Sequence, residues 1–119
     1  MEVLLVTGVL TAGVGAGIVA PRLVIRVLTG ADGTDAAAVF FARYCSLLVA
    51  LVGLLLIYAA YNPPARLPAM IFGATEKFGF GAFVLMTPLR TRATALLFAG
   101  ADVVMAILYV VVMLTGGVP

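Results

Sequence analysis

Four long apolar runs, joined by stretches too short to hold a domain of their own, decide what this chain can become. They cover residues 3–28, 36–61, 66–87 and 92–115, each about 22–26 residues long. That length crosses a hydrocarbon core of ~30 Å with some tilt. The first run carries Pro21 near its end and leads into Gly30-Ala-Asp-Gly-Thr-Asp35, a turn by composition in which Thr34 or Asp35 is a good N-cap for the second run. The second stops at Asn62-Pro63-Pro64, because a residue before proline is pushed out of the helical region. Pro68 falls in the first turn of the third run, where a missing N–H costs least. The third ends at Thr87-Pro88 and the fourth at Gly116-Gly117. Loops this short make sequence neighbours antiparallel neighbours. The expected fold is all-α: a transmembrane four-helix antiparallel bundle forming a single membrane domain over residues 1–119. The opening Met1-Glu2 lacks the basic segment of a signal peptide, so the first run is expected to stay as a span.

Composition supports the same class. The chain is 65% hydrophobic and 10% charged, against roughly 45–50% and about 25% in a soluble domain. So little charge does not cover a water-exposed surface, whereas lipid asks for none. The net charge of +2 is small and its arginines are scattered, which argues against a nucleic-acid partner. There is no histidine, which removes the commonest zinc ligand, general base and haem ligand together. No metal and no cofactor is therefore expected. Cys45 is the single cysteine, so no internal disulfide forms.

Arg22, Arg26, Arg90 and Arg92 flank the first and third loops, and only Arg66 lies at the second. By the positive-inside rule the first and third loops face the cytoplasm and both termini lie outside. The chain is thus expected to be a multi-pass protein of a cell membrane with the lipid bilayer as its first partner.

Small residues mark the packing faces. The first run reads Gly8, Ala12, Gly13, Ala16, Gly17, Ala20, and Gly13-xxx-Gly17 allows close helix approach, either within one subunit or across a homo-oligomer. The fourth carries Ala95, Ala99, Asp102, Ala106 and Tyr109 on one stripe, which turns its carboxylate inward.

Four ionisable residues stand well inside the spans: Arg43 in the second, Glu76 and Lys77 in the third, and Asp102 in the fourth. A charge at the bilayer centre costs about 2.5–3.5 kcal/mol on insertion scales, so such groups pair or line a wet cavity. Arg43 is expected to pair with Glu76 or Asp102, since a guanidinium fork matches a carboxylate. Tyr44 and Tyr109 lie at similar depth and join the candidate ligand-binding or proton-relay residues. Glu76 and Lys77 are adjacent and so point about 100° apart. The cluster reads either as a clasp that fixes helix register or as a functional site.

Pro21-Arg22-Leu23, Phe40-Phe41-Ala42-Arg43, Glu76-Lys77 and the lone Asp102, set on four spans, resemble the DoxX-like superfamily of small bacterial four-helix membrane proteins. The resemblance implies a bacterial inner-membrane location; some members of that group are linked to sulfur-compound oxidation with quinone. Sterol-isomerase-like four-helix proteins rely on a histidine that this chain lacks. Small multidrug transporters carry a first-helix membrane glutamate, whereas Glu2 lies at the very end.

Two functions remain open. One is a binding or accessory module that holds a lipophilic small molecule such as a quinone or joins a larger membrane complex. The other is an intramembrane acid–base enzyme or proton-coupled carrier, in which Glu76 or Asp102 exchanges a proton. Gly13-Val-Gly-Ala-Gly17 is no phosphate cradle, because the following Lys-Ser/Thr is missing and the glycines lie in a span.

Overall fold

The computed structural model describes residues 2–115. Its elements are α1 (Glu2–Ala12), a 3-10 turn (Gly13–Gly15), α2 (Ala16–Val19), α3 (Pro21–Thr29), α4 (Ala36–Tyr61), a 3-10 turn (Pro63–Ala65), α5 (Arg66–Leu85), a 3-10 turn (Pro88–Thr91) and α6 (Ala93–Leu114). Among the described residues all regular structure is helical. Three stretches are long and apolar enough to cross a membrane: Glu2–Val19, Ala36–Tyr61 and Ala93–Leu114. The 20 residues of α5 are long enough too, but Glu76 and Lys77 stand in their middle.

The first run does not continue to residue 28 as one rod. Pro21 has no N–H, so the Gly17 carbonyl loses its ordinary partner, and Ala20 leaves the helical region at φ −124°, ψ 62°. The chain restarts with Pro21 in the first position of α3, where the missing donor is harmless. In α3, Pro21 and Ile25 are buried while Arg22, Leu23 and Arg26 are exposed. Gly30 ends α3 in the left-handed region at φ 77°, a conformation that costs glycine little. Its N–H bonds the Arg26 carbonyl at 3.0 Å.

The first and third loops lie at the same end of the molecule. Arg92 packs against Gly30 and donates to the Arg26 carbonyl at 3.4 Å, and the Thr94 hydroxyl donates to the Val27 carbonyl. In the first loop, Asp32 accepts from the Thr34 N–H at 3.2 Å and its hydroxyl at 3.0 Å. Those bonds hold its carboxyl below the usual aspartate range. Asp35 caps α4 by accepting from the Ala38 N–H at 2.9 Å, the role its position in the sequence predicts. At the opposite end, Arg66 donates to the carbonyls of Ala59 at 3.1 Å and Ala60 at 2.9 Å, satisfying acceptors that the end of α4 leaves open.

Helix α1 lies along α4, α5 lies along α6, and α4 joins the two pairs through α5. The backbones of α1 and α4 approach closely at Gly8, Ala12 and Gly53. A Cβ added at Gly8 would stand 2.9 Å from the Gly53 carbonyl oxygen, and one added at Gly53 would stand 2.8 Å from that of Gly8. The main core draws Leu4 from α1, Leu56 and Ala59 from α4, Met70 and Ala74 from α5, and Ala106 and Tyr109 from α6. A smaller cluster of Val84, Ala95 and Ala99 closes the other end of the α5–α6 pair. Large apolar side chains cover the outside, among them Phe40, Phe41, Leu51, Leu54, Phe83 and Leu97. Such a surface is costly in water and suited to acyl chains. The long axis, 46 Å, compares with a bilayer of about 40–45 Å including its headgroup regions.

Candidate functional site

Lys77 is the centre of the polar interior. It lies on the face of α5 that also buries Ala69, Met70, Gly73, Ala74, Gly81 and Val84. Its side chain is 1% exposed. Lysine is almost never sealed in this way unless it is paired. Here Nζ stands 3.5 Å from Asp102 Oδ1 and 3.9 Å from Glu76 Oε1, and donates to Thr11 Oγ1 at 2.7 Å. The Thr11 hydroxyl donates to the Thr7 carbonyl at 2.7 Å, and the Thr7 hydroxyl donates to the Val3 carbonyl at 2.5 Å. An ammonium on α5 is therefore held by a carboxylate of α6, a carboxylate one residue back on α5, and a hydroxyl of α1.

The two carboxylates differ from the lysine in access. The Glu76 side chain keeps 20% and that of Asp102 24% of its surface open. Glu76 Oε1 and the Tyr109 hydroxyl are buried with no hydrogen-bond partner among the described residues. Tyr109 has no exposed surface, and its hydroxyl lies beside that of Thr7. A buried polar group left unpaired costs about 1–3 kcal/mol. The inward stripe of α6 positions this part of the site: Ala95, Ala99, Ala106 and Tyr109 are all buried, and Asp102 shares their face.

Three of the residues expected to act together do so: Glu76, Lys77 and Asp102, with Tyr109 beside them. Arg43 does not join them. Its Nε donates to the Ile18 carbonyl at 3.0 Å, at the break in the first run. That interruption opens an acceptor near Arg43, and the guanidinium closes it instead of meeting a carboxylate. Tyr44 is exposed and stacks on Phe40 with ring centroids 6.3 Å apart. Of the two expected packing glycines, Gly17 is buried against Ser46 and Val24, whereas a Cβ at Gly13 would meet nothing within 4 Å.

Sequence reasoning passed over Thr7 and Thr11, and with them the part of the first helix in the site. The available signal was their spacing of four residues, which puts both hydroxyls on one helix face beside Gly8. No group of three or more metal-ligating side chains forms among the described residues. In the cluster itself the positive charge between the carboxylates is the ammonium of Lys77. The chain matches no protein-family model, no curated protein and no solved structure.

Proposed function

We propose that this chain is a multi-pass protein of a bacterial inner membrane with four antiparallel spans, the fourth supplied by α5. Its polar cluster then holds a lipophilic small molecule that carries hydrogen-bonding groups, a quinone being one such molecule. The reading extends to a subunit that presents this molecule to a larger membrane complex. It also takes up the likeness to the DoxX-like superfamily carried by Pro21-Arg22-Leu23, Phe40-Phe41-Ala42-Arg43, Glu76-Lys77 and Asp102.

One observation carries it: two buried polar atoms, Glu76 Oε1 and the Tyr109 hydroxyl, make no hydrogen bond among the described residues, and Glu76 Oε1 meets the sealed ammonium only at 3.9 Å. Glu76 Oε1 accepts, and the tyrosine hydroxyl donates or accepts. A ligand with a complementary group relieves both costs at once. The partly open carboxylates give such a ligand an approach that Lys77 does not.

The test is mass spectrometry of what copurifies with the protein in mild detergent. The expected result is a defined non-phospholipid lipophile in the wild type, retained several-fold less by Glu76→Gln and Tyr109→Phe. Bulk phospholipid alone in the wild type overturns the proposal.

A second reading has its own support. Two carboxylates face one ammonium, so the cluster carries one unmatched negative charge that a proton neutralises. A proton-coupled carrier or an intramembrane acid–base enzyme would use that proton. Under it, Glu76→Gln and Asp102→Asn insert and fold normally but abolish pH-driven flux or turnover in proteoliposomes.

A further inference from the structure

The break in the first apolar run builds a second polar place, far from Lys77 in sequence and chemistry. Val19, Ala20, Pro21, Arg22, Leu23, Arg26, Val39 and Arg43 line a cleft of about 300 Å³ between α3 and the N-terminal part of α4. Three of these are arginines, and guanidinium groups stay charged at any physiological pH. None of the three lies within 4.0 Å of a carboxylate among the described residues, where the only ion pairs are those of Lys77. Arg43 spends Nε on the Ile18 carbonyl, and that is its one hydrogen bond; Arg22 and Arg26 make no side-chain hydrogen bond among the described residues. Asp32 acts on Arg22 only from a distance and already accepts twice from Thr34, while Asp35 is committed to capping α4. Three uncompensated cations around one cleft call for an anion from outside the chain.

The depth of the cleft suggests which anion. Helix α4 has 26 residues, about 39 Å at 1.5 Å per residue, so it exceeds a ~30 Å hydrocarbon core by roughly 9 Å. Arg43 is eight positions beyond the cap Asp35, about 12 Å along the axis. The stretch Glu2–Val19, 18 residues, is about 27 Å long and ends at the cleft. The second measure puts Arg22 and Arg26 where acyl chains give way to headgroups, and the first puts the Arg43 backbone a few ångströms below that level, from which its long side chain reaches up to the cleft. The lining agrees with this, with Val19, Leu23 and Val39 beside the guanidinium groups. Arginine matches the geometry of phosphate oxygens with paired N–H donors. Basic pockets between helices at this level are suited to anionic lipid headgroups.

We infer that the cleft of Arg22, Arg26 and Arg43 binds a phosphate group, that of an anionic phospholipid headgroup or a free phosphate. The site is independent of the Lys77 cluster, and substitutions in it leave retention of a lipophile there unchanged.

The test uses the full chain in detergent, with phosphatidylglycerol, phosphatidylcholine and inorganic phosphate as probes in native mass spectrometry. The expected result is retention of phosphatidylglycerol over phosphatidylcholine, weakened about tenfold by Arg22→Gln or Arg26→Gln, a change equal to about 1.4 kcal/mol. Arg90→Gln, in the loop before α6, keeps wild-type retention and controls for loss of charge alone. Arg43→Gln also removes the bond to Ile18, so the two α3 variants carry the decision. Retention unaffected by millimolar inorganic phosphate assigns the site to lipid. Displacement of lipid by phosphate, with saturable phosphate binding of its own, assigns it to a soluble ion. Equal retention of both lipids with no phosphate binding, or selectivity that survives both α3 substitutions, overturns the inference.

Discussion

Lys77 shows how one side chain can be both the largest cost and the organising contact of an apolar interior. Its ammonium is stabilised by Asp102, Glu76 and Thr11 together, and each of those groups depends on it in turn. Lys77→Met removes the only cation of the cluster and leaves two carboxylates facing each other. Breaking a buried pair in this way costs about 3–5 kcal/mol, so the variant should unfold well below the wild type in a detergent melt followed by circular dichroism. Lys77→Met combined with Asp102→Asn restores the wild-type charge count and should recover most of the loss. Equal damage in single and double variants would mean that packing of the lysine stem, and not charge, is what matters. Arg43 makes the opposite case. Since its guanidinium meets the Ile18 carbonyl, Arg43→Gln should cost about 1 kcal/mol, as expected for an exposed hydrogen bond. A double-mutant cycle with Glu76→Gln or Asp102→Asn should be additive within about 0.5 kcal/mol. Coupling beyond that would place Arg43 in the cluster after all.

At the scale of elements, the sequence is most legible where a backbone rule acts locally. The limits of α4 stem from Asp35 and from Asn62-Pro63-Pro64, and the inward stripe of α6 from alanine spacing. Legibility fails where a decision belongs to two helices at once. Of the motif Gly13-xxx-Gly17, Gly17 packs closely against Ser46 of α4, but Gly13 meets no partner, because α1 has already turned into a 3-10 segment there; the backbones of α1 and α4 approach at Gly8, Ala12 and Gly53. Arg43 is expected from the sequence at the depth of Glu76 and Asp102, but it stands eight positions beyond the α4 cap while they stand near the middle of α5 and α6, and rotation about α4 aims it at Ile18 of the first run. Depth is readable from a count of residues; azimuth needs the partner helix. The same gap hid Thr11, which draws no notice until Lys77 is seen beside it. The glycine assignment is directly measurable. Gly53→Ala pushes a methyl into the backbone of Ala12 and the Gly8 carbonyl, and overpacking of this kind costs about 1–3 kcal/mol. Gly13→Ala meets nothing within 4 Å and should melt at or above the wild-type temperature. The reverse order in thermal melts would restore Gly13 as the packing residue.

The whole molecule turns on α5, the one long helix whose polar pair keeps it from the apolarity of the other three. If α5 crosses the bilayer, the turn at Pro63–Ala65 and the loop before α6 lie on opposite sides. If it does not, they share one side. Sealing Lys77 between α1 and α6, with Asp102 as counter-ion, takes the most expensive group of α5 out of contact with lipid, which is the physical argument for crossing. The positive-inside rule then predicts the direction, since Arg22, Arg26 and Arg92 gather at the end that holds the first and third loops and Arg66 lies at the other. Cys45 is the single native cysteine, so Cys45→Ser gives a clean background for site-directed labelling. In that background Asp32→Cys, Pro64→Cys and Thr91→Cys each place one thiol at an exposed turn. A membrane-impermeant maleimide added to intact cells should label the Pro64 position and spare the other two until the membrane is opened. Labelling of the Asp32 and Thr91 positions alone would keep four spans and invert the orientation. Labelling that groups Pro64 with Thr91 would remove α5 from the membrane, and with it the mid-bilayer setting of Lys77.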